Sequence, residues 1–124
     1  MGRDVHDSSP AARRVFEEAE EAIGISLREL CFEGPEQSLT DTVNAQPAIL
    51  TVSVACLAAL RERYELGRPS GTGFVAGHSL GEYSALVAAG ALEFRDAVAL
   101  VRERGRLMKE AGSKFPGGMA AILG

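Results

Sequence analysis

The sequence is short of residues that mark several classes of protein. It has no tryptophan and two cysteines among its 124 residues, Cys31 and Cys56. Two cysteines are too few for a disulfide framework, and both lie in apolar helical stretches, so we expect them to be reduced and buried. No uninterrupted apolar run reaches the length of about 18 residues that a membrane-spanning helix needs.

Positive charge is also scarce. Thirteen Lys and Arg residues stand against seventeen Asp and Glu residues, which gives a net charge of -4. A chain this acidic is not expected to bind nucleic acid or an anionic membrane. What is present is ordinary for a globular domain, with 46% hydrophobic and 24% charged residues, so wholesale disorder and fibrous repeats are excluded.

Helical periodicity and helix-capping residues account for most of the chain. They predict helices over residues 10–24, 26–32, 47–60, 79–89 and 94–111. The short apolar runs at 73–77 and 119–123 are bounded by glycine and predict buried strands. Since isolated strands need neighbours, a chain that stops after its second strand is expected to be a piece of a larger α/β domain.

One five-residue motif carries chemistry: Gly77, His78, Ser79, Leu80 and Gly81 form G-x-S-x-G between a predicted strand and a predicted helix. In this arrangement the glycines allow a sharp turn that presents the serine hydroxyl at the start of a helix. The free backbone N–H groups there, chiefly that of Leu80, can stabilise an oxyanion. Ser79 is therefore either a nucleophile or merely the cap of its helix.

A nucleophilic serine needs a base, and the chain has two histidines. His78 adjoins Ser79, and adjacent side chains diverge at such a turn, so we expect it to pack or hydrogen-bond near the site instead. His6 is expected to be a solvated residue of the N-terminal segment. A Ser–His pair is therefore not predicted within this chain.

Arg104 differs from the other basic residues of the last predicted helix. It lies three or four residues from Leu100, Val101 and Met108, so it shares their apolar side, where a guanidinium needs a carboxylate from the protein or from a ligand. The neighbouring basic side chains are expected to be solvated near the helix C-terminus. These are Arg102, Arg106 and Lys109.

Residues 77–86, GHSLGEYSAL, resemble the malonyl-CoA:acyl carrier protein transacylase family. Three further segments resemble it in the same order, namely QPAIL at 46–50, VRERGRLM at 101–108 and GGMAAI at 117–122. The resemblance implies an α/β fold in which residues 1–117 are part of a hydrolase-like large subdomain. Residues 118–124 would then be the first strand of a small ferredoxin-like subdomain.

The resemblance also assigns roles to residues. It implies that Ser79 is the nucleophile, that the Leu80 N–H is an oxyanion donor and that Arg104 binds the malonyl carboxylate, while His78 and Gln46 line the site. Members of the family are more than twice as long. They carry a Gly-Gln-Gly-Ser-Gln loop with a second oxyanion donor and a downstream histidine base, and this chain has neither. The chain therefore resembles an internal piece of the large subdomain.

The implied reaction is transfer of a malonyl group from malonyl-CoA to the phosphopantetheine thiol of acyl carrier protein, for fatty-acid synthesis. It implies a cytoplasmic location, no metal, no cofactor and no nucleic-acid or membrane partner. Because the base is missing, the chain alone is expected to have little or no activity.

Other functions remain open. A polyketide synthase acyltransferase domain shares the Gly-His-Ser turn, although Leu80, Glu82 and Tyr83 favour the fatty-acid enzyme. A serine hydrolase would share the motif, but an ester substrate offers no carboxylate for Arg104. The chain could also be a non-catalytic remnant that folds with a partner chain.

Overall fold

The computed structural model describes residues 1–64 and 73–115, together with Gly117, Ala120 and Ile122. Within these residues the regular structure consists of helices. They are α1 (Arg3–Ser8), α2 (Pro10–Ile23), α3 (Leu27–Glu33), α4 (Glu36–Thr40), α5 (Thr42–Tyr64), α6 (Gly81–Ala89) and α7 (Phe94–Lys114). The long helix α5 is central, because α1, α2, α4, α6 and α7 all pack against it.

The core lies where α2, α5 and α7 meet. Helix α2 begins as predicted: Ser9 Oγ accepts a hydrogen bond from the Ala12 N–H at 3.1 Å, and Pro10 occupies the first position. It ends at Gly24, whose φ of 65° is left-handed. The buried apolar residues come from these three helices and from α3. They are Ala12, Phe16, Ala19, Leu27, Cys31, Ala48, Leu50, Ala55, Phe94, Ala97, Val98 and Val101.

Helix α5 has the length and apolar composition of a membrane-spanning helix, with a mean hydropathy of 1.7 in its most apolar part. A core helix passes the same test, and α5 is packed between α2 and α7 here. The apolar composition of α5 would suit a helix that is buried on all sides, but α5 is buried only in part. Ile49 and Leu60 are 45% and 48% exposed, and Cys56 is exposed although both cysteines were expected to be buried.

Two predicted helix ends are wrong. Helix α5 begins at Thr42 and not at Pro47, because Asp41 Oδ1 accepts a hydrogen bond from the Val43 N–H at 3.1 Å and caps it earlier. Helix α7 continues past Gly112, supported by an ion pair of 2.6 Å between Lys114 and Glu110 in its last turn.

The helix predicted at 26–32 begins with Ser26 and Glu29, a capping-box pattern, but the capping box does not form. The Ser26 side chain makes no capping hydrogen bond. The carboxylate of Glu20 in α2 takes its place, since it accepts a hydrogen bond from the Arg28 N–H at 2.8 Å. A contact from a neighbouring helix thus replaces the local one.

His6 is not the solvated residue that the sequence predicted. It lies in α1, its side chain is 15% exposed, and its ring packs edge-on against Phe16 and Phe32 at centroid distances of 5.5 and 5.2 Å. The aromatic pair covers the imidazole, and Nδ1 lies 2.8 Å from the Asp7 carboxylate.

The predicted strand at 73–77 is not confirmed. The segment has no strand structure, and Phe74 is 99% exposed. A strand is defined by hydrogen bonds to a neighbouring strand, and no neighbour exists among the described residues. Most of the second predicted strand, at 119–123, lies outside the described residues.

Candidate active site

Ser79 sits at the tip of a tight turn that leads into α6. Its φ of 54° lies in the left-handed region, which a residue with a side chain rarely adopts. The turn is closed by hydrogen bonds from the Gly81 N–H to the His78 carbonyl at 2.8 Å and from the Glu82 N–H to the Ser79 carbonyl at 3.2 Å. A strained serine backbone at a sharp turn into a helix is a feature of a nucleophile elbow, although the segment before this turn has no strand structure here.

Gly77 is required by this turn. A Cβ atom on it would lie 2.6 Å from the backbone nitrogen of Glu82 and still closer to the Gly81 carbonyl. By contrast, a Cβ atom on Gly81 would meet nothing within 4 Å. The first glycine of the motif therefore permits a close approach of two backbone segments, and the second does not.

The structure brings together three of the predicted site residues. Arg104 Nη2 in α7 donates a hydrogen bond to Ser79 Oγ at 3.0 Å, and Arg104 Nη1 donates one to Gln46 Oε1 in α5 at 2.5 Å. The guanidinium also lies 5.9 Å from the centre of the Tyr83 ring in α6. Side chains from α5, α6 and α7 therefore converge at one point.

Arg104 has neutral protein partners. The sequence predicted a carboxylate from the protein or from a ligand, and within the described residues no carboxylate pairs with this guanidinium. Its fork can therefore receive an external carboxylate directly beside the serine hydroxyl. Of the other basic residues, Arg106 pairs with Glu103 and Glu110 at 2.7 and 2.9 Å, as expected for a solvated helix face.

The backbone N–H of Leu80 is open. The neighbouring N–H groups of Gly81, Glu82 and Tyr83 donate to carbonyls of the turn, whereas no hydrogen bond donated by the Leu80 N–H is found in the described part of the chain. This donor follows Ser79 directly at the start of α6, which is where an oxyanion donor is needed.

His78 is exposed, and among the described residues its side chain makes no hydrogen bond to Ser79. His6 packs among aromatic rings in α1. Neither histidine therefore lies beside the Ser79 hydroxyl in the described part of the chain. Across residues 1–64 and 73–115, no group of three His, Cys, Asp or Glu side chains could hold a metal ion.

Two residues behind the site, Thr42 and Met108, were not predicted to support it. Gln46 is 6% exposed, and its Nε2 donates to Thr42 Oγ1 at 2.9 Å and to Met108 Sδ at 3.4 Å. Thr42 precedes Gln46 by four residues, and Met108 follows Arg104 by four. This helical spacing is the signal that could have indicated them.

Helices α5 and α7 cross closely just beside Arg104. Gly105 is buried, and a Cβ atom on it would lie 2.9 Å from Val43 Cα and closer still to the Thr42 carbonyl. Lys109 forms an ion pair with Asp41 at the same crossing. The hydrogen bond from Lys109, with a second from the Val43 N–H, lowers the pKa of the Asp41 carboxyl.

The family model for the acyl transferase domain matches residues 1–123. The chain belongs to the acyl transferase domain family. It is 53% identical over 126 residues to the malonyl CoA-acyl carrier protein transacylase of Bacillus subtilis (strain 168), covering 100% of this chain and 38% of that protein. The match confirms the resemblance to malonyl transacylases, of which the chain spans less than two-fifths of the length.

Solved acyltransferases share the fold of the described helices. The acyl-carrier-protein S-malonyltransferase of Bartonella henselae superimposes with a TM-score of 0.83 and 46% identity, covering 90% of this chain and 35% of that one. A malonyl-transacylase solved in complex with a type II PKS acyl-carrier protein gives 0.79 and 42%, with the same coverage. The α/β acyltransferase fold is thus shown by likeness, although the part of this chain that the structure describes contributes helices to it.

Proposed function

We propose that this chain provides the nucleophile and the carboxylate-binding residue of an enzyme that transfers malonyl groups from malonyl-CoA to acyl carrier protein. The observation that carries the proposal is the 3.0 Å hydrogen bond between Arg104 Nη2 and Ser79 Oγ. The Arg104 guanidinium is a cation that contacts the hydroxyl of Ser79. This arrangement suits a substrate with a carboxylate a short distance from its reacting carbonyl.

In the first step Ser79 Oγ attacks the thioester carbonyl of malonyl-CoA. The hydroxyl proton passes to a base, and the tetrahedral oxyanion is stabilised by the Leu80 N–H. The C–S bond then breaks, and coenzyme A leaves as its thiol with that proton. In the second step the phosphopantetheine thiol of the carrier gives its proton to the base and attacks the malonyl-Ser79 ester. The bond between Ser79 Oγ and the acyl carbon then breaks, and Ser79 takes that proton from the base.

Arg104 selects the substrate in this proposal. When the malonyl group is on Ser79, its carboxylate replaces the serine hydroxyl as the partner of Nη2, while Gln46 keeps Nη1. An acetyl group offers no such partner, so the site would be left with an unpaired cation and would disfavour it. His78 and Gln46 line the site.

The remaining parts of the enzyme lie outside this chain in our proposal. They are a histidine base, a second oxyanion donor and the strands that pair with residues 73–77. Residues 1–117 would belong to the large subdomain, and 118–124 would open the small one. We further propose a cytoplasmic location, a role in fatty-acid synthesis and a reaction that uses no cofactor or metal.

The test uses a chimera in which this chain replaces the matching segment of the Bacillus subtilis relative. We expect malonyl transfer to acyl carrier protein, and a loss of about 10⁴-fold or more with Ser79→Ala. Arg104→Ala should lower malonyl transfer about 10- to 100-fold and leave acetyl transfer unchanged or raised. The 124-residue chain alone should turn over poorly.

Arg106→Ala is the matched control, because it removes a charge from the same helix at an exposed position. It should leave the preference for malonyl unchanged. If malonyl and acetyl remain discriminated as before in Arg104→Ala, the role of Arg104 is wrong. Faster hydrolysis of p-nitrophenyl esters than transfer to the carrier would instead favour a serine hydrolase.

A further inference from the structure

We propose that Thr42 and Gly105 are positioning residues that hold the Arg104 guanidinium in its carboxylate-binding orientation. Neither touches Ser79. Their effect on substrate preference rests on the proposed function, whereas their effect on Arg104 itself does not.

Arg104 fixes the orientation of the Gln46 amide. Arginine can only donate hydrogen bonds, so the group of Gln46 that faces Arg104 must be the oxygen. The amide NH₂ must then point the other way. It finds Thr42 Oγ1 at 2.9 Å and Met108 Sδ at 3.4 Å.

Thr42 is the stronger of these two acceptors, because a thioether sulfur accepts hydrogen bonds weakly. Gln46 is 6% exposed, so water has little access to replace a lost partner. Without the Thr42 hydroxyl, the buried amide would keep one poor acceptor. Its orientation would be held less firmly, so the oxygen would be held less firmly against Arg104.

Gly105 permits the short distance between α5 and α7 at which Arg104 reaches Gln46. It follows Arg104 directly, and its missing side chain lets α7 approach the backbone of Thr42 and Val43 at the start of α5. Any larger residue would push the backbone of α7 away from that of α5, next to the hydrogen bond between Arg104 and Gln46. A glycine inside a helix costs stability, so its place here is explained by the close approach.

The kinetic test uses the same chimera and compares Thr42→Val with Thr42→Ser. The valine variant lacks the acceptor at similar size, and we expect its preference for malonyl over acetyl to fall about threefold to tenfold. The serine variant keeps the hydroxyl and should retain the preference. Equal losses for malonyl and acetyl in the valine variant would indicate a purely structural role and would overturn the proposal.

Gly105→Ala is compared with Gly112→Ala in the same helix. A Cβ atom at Gly112 would meet nothing within 4 Å, so this variant controls for the exchange of glycine for alanine. We expect the malonyl preference to fall in Gly105→Ala and to stay unchanged in Gly112→Ala. A fall of the same size in both variants would contradict the role of Gly105.

A second measurement needs no catalysis and uses the 124-residue chain itself. Nitrogen NMR of the arginine side chains reports how freely each guanidinium rotates. Hydrogen bonds to Gln46 and Ser79 should slow the rotation of Arg104, and Thr42→Val should speed it while Thr42→Ser does not. If Thr42→Val leaves this signal unchanged, the positioning proposal is wrong. If the signal responds but the wild-type chimera does not prefer malonyl, the proposed function is wrong and the positioning stands.

Discussion

The two sides of α5 are packed very differently. On the side of the core, Phe16 of α2, Leu27 of α3 and Leu50 of α5 itself are completely buried. On the side of α6, no residue of that helix is buried, although most of its residues are apolar or small. Leu86 is 44% exposed there, and Phe74 and Val75 in the preceding segment are 99% and 49% exposed.

The difference divides the candidate site. Gln46 and Arg104 are on α5 and α7, which form the core with α2, so this half of the candidate site is held by dense packing. Ser79 precedes α6, which the described residues cover only in part. The half with Gln46 and Arg104 is therefore packed within this chain, whereas the half with Ser79 has apolar surface that the described residues leave exposed.

The largest effect that could break this comparison is the removal of a core side chain. Phe16→Ala removes a ring that packs on His6 and Phe32, and it should lower the free energy of unfolding by about 3–5 kcal/mol. Phe74→Ala removes the same ring from an exposed position and should change it by less than about 0.5 kcal/mol. Urea unfolding followed by circular dichroism measures both, and a comparable loss in Phe74→Ala would contradict the division.

A smaller effect separates the two glycines of the motif. Gly77→Ala forces a Cβ atom into the backbone of residues 81 and 82, with a strain of about 1–3 kcal/mol. Because α6 is loosely packed, the strain should unfold it locally, and amide exchange should speed up in α6 but not in α2. Gly81→Ala has open space and is the control. Faster exchange across the whole chain would mean that α6 and the core unfold as one unit.

Local features of this fold could be predicted from the sequence. Ser9 and Pro10 begin α2, Gly24 ends it, and both are decided by neighbouring residues. The turn at Ser79 is equally local, since Gly77 permits the close approach to the backbone of residues 81 and 82. The convergence of Ser79, Arg104 and Gln46 was indicated by resemblance, because residues so far apart in sequence share no local signal.

Features that depend on distant contacts could not be predicted. The segment at 73–77 has the composition of a strand, but a strand needs a partner, and composition does not supply one. His6 is covered by rings from α2 and α3, which its own neighbours do not reveal. Gly105 resembles an ordinary helix-weakening residue until the crossing with α5 is seen.

The smallest expected effect concerns the ion pair between Glu20 and Arg28. It shows whether an ion pair beside the packed core stabilises the fold more than an exposed one. Glu20 Oε2 accepts hydrogen bonds from Arg28 Nε and Nη2 at 3.0 and 2.6 Å, and its side chain is 17% exposed. Burial raises the pKa of the Glu20 carboxyl, but the hydrogen bonds and charge of Arg28 outweigh it, so the pKa is lower than its ordinary value of 4.5.

Glu20→Gln should therefore lower the free energy of unfolding by about 1 kcal/mol at neutral pH. A carboxyl with a lowered pKa stabilises the fold above the pKa of the unfolded chain, and this contribution disappears as the pH falls through the folded value. The difference between the wild type and Glu20→Gln should thus be constant above about pH 5 and shrink below pH 4.5. Glu103→Gln is the control, because Glu103 and its partner Arg106 are each about half exposed and screened by solvent. It should cost less than Glu20→Gln, and an equal cost would show that packing around a pair does not decide its contribution in this protein.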